Sequence, residues 1–478
     1  MSKSQKDLLH NILQVLIVLS AIGLYIWWAR VITFDENTLT HAPDERMRFM
    51  IPNFIYTFGR LPTGYDPEVI HKMGNWSYAF FPQFLGPIIS AVFMRMMSIV
   101  HDSQNALVFA ARLTSVLSGT VAIFFVNRTI FVLTKNKIYS ILGMTLLAFW
   151  PQFAFLSSYV NNDIIALAGI SIMCYSIARS INEGWSVKIS ITLAVGMTIC
   201  LLSYMNSYGF VLAFGIYYIL TNIMGVKKQI VTVKEFCTSF VIIFSIVSIL
   251  CFPFFIRNAM LYNGDFFGLT TFRQESINWG QNEGLIWATE QAKAWSVEHS
   301  VPWDENTIAL WLSHNTNLGY SNHTIMMSNP YQGSLFSLIR NIGFINTTYQ
   351  SFISAFGSMT IFLPSIFYSI YGLVIGIALI GLLRFKFHNI NTSLFVLSCF
   401  LGVLITFALH LIYVLTGDFQ AQGRYIISIL VPLVICSTYG FKSILSPLST
   451  RKANIIMYSL VFIYIGLMAY IFRGFVLS

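Results

Sequence analysis

Charge is what this chain has least of. Asp, Glu, Lys and Arg together make up 10% of its 478 residues, against about 25% in an ordinary soluble domain. Hydrophobic residues reach 56%. So little charge cannot coat a globule in water, which excludes a soluble enzyme, a disordered chain and a nucleic-acid binder. The 28 Lys and Arg exceed the 19 Asp and Glu by nine, but the excess forms no basic patch. In a membrane protein it marks loops kept on the cytoplasmic side. The six cysteines (Cys174, Cys200, Cys237, Cys251, Cys399 and Cys436) lie in or beside apolar runs and form no C-x-x-C pair. Neither a disulfide framework nor a zinc site is indicated. Internal repeats, low-complexity tracts and a soluble domain set off by a linker are also missing.

Long apolar runs are what the chain has instead. A crossing helix needs about 20 mostly apolar residues. Eleven such runs occur, near 11–33, 109–133, 138–157, 163–182, 188–204, 206–224, 237–257, 361–384, 393–415, 423–442 and 453–473. The first is too long for a signal-peptide core and carries no small-residue cleavage site, so a retained anchor is expected. A twelfth stretch, 80–100, is broken by Pro82, Pro87 and Arg95. With a cytoplasmic N-terminus and 80–100 not crossing, the basic connections at Lys135/Lys137, Lys188, Lys227/Lys228/Lys234, Arg384/Lys386 and Lys442/Arg451/Lys452 all fall inside. If 80–100 crosses, every one of them moves outside. The positive-inside rule favours the first arrangement. The sequence therefore predicts an all-α polytopic membrane protein of about eleven spans. Its polar stretches 35–108 and 259–355 lie outside, and the first holds interfacial helices at 44–58 and 80–100.

Four polar clusters then fall on one face. The stretch His41-Ala42-Pro43-Asp44-Glu45-Arg46-Met47-Arg48 follows the first span. A carboxylate there can act as general base on a sugar hydroxyl or help hold a divalent cation, and Arg46 or Arg48 can neutralise a phosphate. The same residues also suit a helix start, with Asp44 as cap. Asn161-Asn162-Asp163 sits between two spans with no Lys or Arg nearby. Asp163 is either a functional acid, since an uncompensated acid beside an apolar helix is costly, or a cap. Arg257-Asn258 with Asn263-Gly264-Asp265 closes the seventh span, and Arg257 either meets a phosphate or snorkels. Finally, Gln422-Gly423-Arg424-Tyr425 opens the tenth span. Arg424 is the lone basic residue of its loop and suits an anionic partner, or a salt bridge to Asp418. In the long loop, Trp279, Trp287, Trp295, Trp303 and Trp311 recur every eight residues. Eight residues turn about 80° round a helix, so the spacing itself builds no common face. The enrichment points to an aromatic groove for a sugar, with Trp287, Trp295 and Trp303 as acceptor contacts, or to contact with the membrane interface.

With these motifs in view, the chain resembles the C-type fold (GT-C) of integral-membrane glycosyltransferases that use polyprenyl-phosphate sugars. The likeness is to the aminoarabinose and mannose transferases and to a related group of poorly characterised bacterial membrane proteins. Pro43-Asp44-Glu45 looks like the family's first-loop acid signature, Ala111-Arg112-Leu113 like the arginine that opens its second span, and Asn161-Asn162-Asp163 like a second acid position. Arg257-Asn258 with Gly264-Asp265, and Gln422-Gly423-Arg424-Tyr425, resemble signatures of the related group. The chain also departs from the aminoarabinose pattern. Met47 stands where those enzymes have a basic residue. Phe80 and Phe81 replace a Glu-Lys pair, the nearest candidates being Glu68, His71 and Lys72.

The resemblance implies a seven-span N-terminal catalytic module (1–258), a large outer loop (259–355) and a four-span C-terminal module (356–478). It implies transfer of one sugar, with inversion, from a polyprenyl-phosphate donor to an extracytoplasmic glycan or lipid glycan. O-antigen or cell-wall polysaccharide modification would be such a reaction, at a bacterial inner membrane. Asp44, helped by Glu45 or Asp163, would be the base. Arg46, Arg48, Lys72, Arg257, Gln422, Arg424 and Tyr425 would bind the donor phosphate. No cofactor is required, although a divalent cation is possible. An O-antigen polymerase or ligase shares the outline but relies on arginines more than on a first-loop acid pair. A lipid-linked sugar transporter or flippase predicts mid-span charges and inverted repeats, and the sequence has neither. A scaffold subunit without chemistry would use Asp44 and Asp163 only as caps.

Overall fold

A computed structural model describes residues 3–35, 41–71, 76–279, 285–304, 307–314, 331, 333–384 and 389–476. Among them are nineteen α-helices and no strand. In lipid each backbone polar group must find its partner within the segment, which leaves the helix as the only form for a single apolar run. The helices are α1 (Lys3–Val31), α2 (Glu45–Phe58), α3 (Leu85–Ser98), α4 (Gln104–Thr134), α5 (Lys137–Ala148), α6 (Pro151–Leu156) and α7 (Asp163–Glu183). Next come α8 (Val187–Leu201), α9 (Tyr208–Lys227), α10 (Val233–Leu261), α11 (Leu269–Trp279), α12 (Leu285–Glu298) and α13 (Thr307–His314). The rest are α14 (Leu335–Ile339), α15 (Ile342–Ile353), α16 (Ser365–Arg384), α17 (Ile390–Thr416), α18 (Leu430–Leu445) and α19 (Thr450–Val476), with a 3-10 stretch, Gly423–Ile429, leading into α18.

Nine of these, among the described residues, are long and apolar enough to cross a membrane. The other two expected runs form shorter apolar helices. The run 138–157 is broken after Ala148, where Trp150-Pro151 starts a new six-residue helix; proline lacks the amide that would continue the ladder. The run 188–204 is a 15-residue helix, about 22 Å long. The disputed stretch 80–100 contains only the 14-residue α3, about 21 Å and short of a 30 Å hydrocarbon core. It ends on exposed Ile99 and Val100. With α2 it makes the pair of short amphipathic helices expected in the first loop.

Helix α7 is the central post, with 83% of its apolar window buried, packed against α4 and α8. A Cβ on Gly169 would lie 2.9 Å from the Gly196 carbonyl oxygen, so the absence of side chains sets the α7–α8 approach. Around it, α17 packs on α9, α16 on α18, and α19 on α5. The long segment 259–355 does not stay apart from the bundle throughout. Its last helix, α15, lies against the 3-10 stretch at 423–429. Trp150 Nε1 donates to the Phe352 carbonyl (2.9 Å), and the Ala355 amide donates to Gln152 Oε1 (2.7 Å). The helix break at Trp150 thus supplies the side chains that fasten this segment into the core.

Candidate active site

Two adjacent carboxylates at the start of α2 point to different places. Asp44 has left-handed backbone (φ 59°, ψ 3°), a conformation that Asp and Asn tolerate better than most residues. Glu45 begins the helix and is 2% exposed. Its Oε1 accepts from Arg112 Nε (2.7 Å) and the Val160 amide (2.8 Å), and its Oε2 accepts from Arg112 Nη2 (2.6 Å). Arg112 Nη1 also donates to the carbonyls of Ala29 and Ile32, each at 2.8 Å. One buried ion pair therefore ties together the end of α1, the start of α2, α4 and the turn before α7. Glu45 is occupied by positioning work, with Arg112 as its counter-ion.

Asp44 turns the other way. Its Oδ2 accepts from Arg424 Nη2 at 2.5 Å, and Arg424 Nη1 reaches the Pro43 carbonyl at 3.5 Å. Arg424 is 5% exposed and Asp44 26%. Asp44, not Asp418, is therefore the partner of that lone arginine. One helical turn beyond Asp44, Arg48 faces the same space, its guanidinium 4.3 Å from the centre of the Tyr78 ring and its Nε without a hydrogen-bond partner. Asp163 opens α7, is fully buried, and neither of its carboxylate oxygens receives a hydrogen bond. The cap role falls to Asn161, whose Oδ1 accepts from the Ile164 amide at 3.0 Å while its Nδ2 holds the Leu156 and Tyr159 carbonyls. Asp163 is left without a hydrogen-bond partner, within electrostatic reach of Arg424, Arg48 and Asp44.

Burial pushes the Asp44 carboxyl up, but Arg424 and Arg48 outweigh it and hold it below its usual value. Burial also works against the Arg48 charge, and Tyr78, Asp163 and Asp44 more than restore it. The Tyr78 phenol is driven up by burial and by Asp44. Tyr78, Tyr159 and Tyr204 ring the four charged groups. The sequence did not single out these tyrosines; in a chain with 23 tyrosines, nothing local marks them.

The remaining expected residues distribute unevenly. Tyr425 adjoins the quartet and heads a stack with Tyr413 and His410 (centroids 5.4 and 5.5 Å). Gln422 Nε2 donates to Gln420 Oε1 at 2.5 Å, and its own Oε1 is unpartnered. Arg257 does not join. Its Nη2 donates to the Pro62 carbonyl (2.7 Å), and Asn258 Nδ2 donates to the Phe80 carbonyl (2.7 Å). That motif clasps the first loop to α10, and Asp265 accepts from the Thr271 amide (2.9 Å) as a helix cap. Arg46 is exposed and lines a separate cavity of about 970 Å³ with Arg30 and His101. Lys72 lies outside the described residues. In the long segment, Trp295 and Trp311 pack with Ala288 and Ala292 as the small core of an α12–α13 hairpin. Trp303 is exposed, with Lys293 Nζ 5.3 Å from its ring centre, and the side chain of Trp287 is outside the described set. The Trp295 ring is thus spent on packing and does not line an open groove.

No protein-family model matches the chain, and none of the curated proteins matches it. Solved structures do. The Archaeoglobus fulgidus oligosaccharyltransferase, in complex with Zn and sulfate, aligns with a TM-score of 0.52 at 15% identity over 94% of this chain and 52% of that one. The archaeal oligosaccharyltransferase AglB from the same organism, with an inhibitory peptide and a dolichol-phosphate, aligns with a TM-score of 0.50 at 15% identity over 98% and 54%. ArnT from Cupriavidus metallidurans bound to undecaprenyl phosphate scores 0.49 at 12% identity, too low to bear on the fold. The chain spans about half the length of the oligosaccharyltransferases it matches. The chain thus shares its fold with these oligosaccharyltransferases, in keeping with the C-type fold that the resemblance implied.

Proposed function

We propose that the chain is an integral-membrane glycosyltransferase. It takes one sugar from a polyprenyl-phosphate donor and passes it, with inversion, to an acceptor glycan or lipid glycan on the extracytoplasmic side. The observation that carries this reading is the quartet of Asp44, Asp163, Arg48 and Arg424, with Asp163 and Arg424 buried and Asp44 and Arg48 partly exposed, at the end of an apolar bundle of this fold. The dolichol-phosphate bound to AglB supports a polyprenyl-phosphate as the donor class.

The chemistry follows from the charges. The Asp44 carboxylate draws the proton from the acceptor hydroxyl. The oxygen attacks the anomeric carbon from the face opposite the phosphate, and the carbon–oxygen bond to phosphate breaks. Polyprenyl phosphate leaves with one more negative charge than it had as a diester. Arg424 and Arg48, already in place, take up that charge without reorganising. Tyr425 and Gln422 border the same space and contact the donor head. Asp163 faces both arginines without a hydrogen bond to either, so it is free to assist Asp44.

The test is Asp44→Asn, a change that keeps shape and left-handed backbone. Purified protein is incubated with a panel of polyprenyl-phosphate sugars and released lipid phosphate is measured. Loss of release by a factor of about 10²–10⁴, in protein that still elutes as a folded species in detergent, is expected. Undiminished release would remove Asp44 from the mechanism.

A further inference from the structure

We infer that Arg48 and Arg424 stand where a divalent cation would stand, so that this site works without one. The catalytic part of this inference rests on the transferase reading above; the binding part does not. One structure of this fold was solved with Zn and sulfate, which raises the question whether these residues suit a metal.

The charges beside the donor set do not suit one. Zinc takes four ligands of mixed type, and Mg²⁺ can sit on one or two carboxylates with water and phosphate oxygens completing its shell, so the guanidinium groups decide the matter more than the number of acids. Here two carboxylates converge, Asp44 and Asp163, and among the described residues no group of three His, Cys, Asp or Glu could hold a metal ion. The third acid of the neighbourhood, Glu45, already accepts three hydrogen bonds, two of them from Arg112. Asp44 Oδ2 carries Arg424 Nη2 at 2.5 Å. At most two carboxylate charges stand against the two guanidinium charges. A dication entering it would gain two acids and face two arginines that cannot lose their protons.

The same two groups can do a cation's work. A guanidinium presents a planar fork of donors that matches phosphate oxygens. Arg48 Nε has no partner, and Arg424 reaches Pro43 only at 3.5 Å, so both can turn donors toward a phosphate. As the anomeric bond breaks, the acceptor proton goes to Asp44. The electron pair stays on the departing phosphate oxygen, where the arginines meet it. The step balances without an added ion.

The test titrates Mn²⁺ into the full-length protein in detergent and follows the free-ion signal by electron paramagnetic resonance, with no donor needed. The wild-type protein is expected to leave millimolar Mn²⁺ free. The Arg48→Ala/Arg424→Ala double variant, if it elutes as a folded species, is expected to gain one Mn²⁺ site that Asp44→Asn abolishes. One Mn²⁺ bound per wild-type chain and lost in Asp44→Asn or Asp163→Asn would overturn the inference, whatever the double variant does. In the transfer assay, release should be the same in chelator as in Mg²⁺ or Mn²⁺; release abolished by chelator and restored by Mn²⁺ would equally overturn it. If no donor of the panel is turned over, the transferase reading fails while the Mn²⁺ titration still decides the question of the cation.

Discussion

Asp44 and Glu45 are neighbours in the chain with opposite fates, because the left-handed residue swings the backbone between them. Glu45 sits with Arg112 at 2% and 3% exposure. Removing one member of such a pair strands the other and costs about 3–5 kcal/mol. Glu45→Gln should therefore lower the melting temperature in detergent, with the surviving folded protein still transferring sugar. A variant that melts normally but has lost transfer would make Glu45 a reactive group after all. Asp44 is expected to act through its pH dependence. Its carboxyl lies below the ordinary value near 3.8 because Arg424 and Arg48 outweigh burial. The ionised form is thus favoured by folding, and that stability is present above the unfolded value and lost as pH falls through the folded one. The acid limb of the rate profile should fall below pH 4 for wild type and move to higher pH in Arg424→Ala; a limb that stays where it was would show that Arg424 does not govern Asp44. From sequence, both acids and Arg424 were legible as candidates, since charge is rare enough here for each one to stand out. What was not legible was which acid faced the cavity. One φ angle decides that, and the residue types alone do not encode it.

At the level of elements, hydropathy located the nine described helices long enough to cross, but not the interruptions of the other two runs. The break at Trp150 and the shortness of α8 depend on neighbours that satisfy the ends, and a window average over apolar residues does not register them. The glycine of the Gln422-Gly423-Arg424 stretch shows how tightly these ends are packed. A Cβ there would lie 2.1 Å from the Phe352 nitrogen and 2.4 Å from the Thr348 oxygen, and backbone atoms cannot step aside. The Gly423 amide also donates to Ser351 Oγ at 2.7 Å. Gly423→Ala should push the 3-10 stretch away from α15 and carry Arg424 off Asp44. A displacement of about 1 Å can cost a factor of about a hundred in rate, so transfer should fall by that order in protein that still inserts and purifies. Full activity would show that Arg424 tolerates relocation. Within the expected outer loop 259–355, α15 buries one face against the bundle, a contact that hydropathy does not register.

For the molecule as a whole, the basic connections predict an orientation with the quartet outside and the N-terminus within. One native residue reports on it. Of the six cysteines, five are buried and only Cys237, near the start of α10, is exposed. A membrane-impermeant maleimide should label Cys237 only after cells are permeabilised, whereas a cysteine placed at exposed Asp102 in a Cys237→Ser background should react in intact cells. The reverse pattern would turn the protein over and put the site in the cytosol. The two hydrogen bonds that Trp150 and Gln152 make to Phe352 and Ala355 have a mechanical corollary. They pin the downstream end of the long extramembrane segment like the fixed leaf of a door. Any opening of the site to a bulky glycan that keeps these two bonds leaves Phe352 and Ala355 in place, and with them the Gly423–Ile429 stretch that carries Arg424.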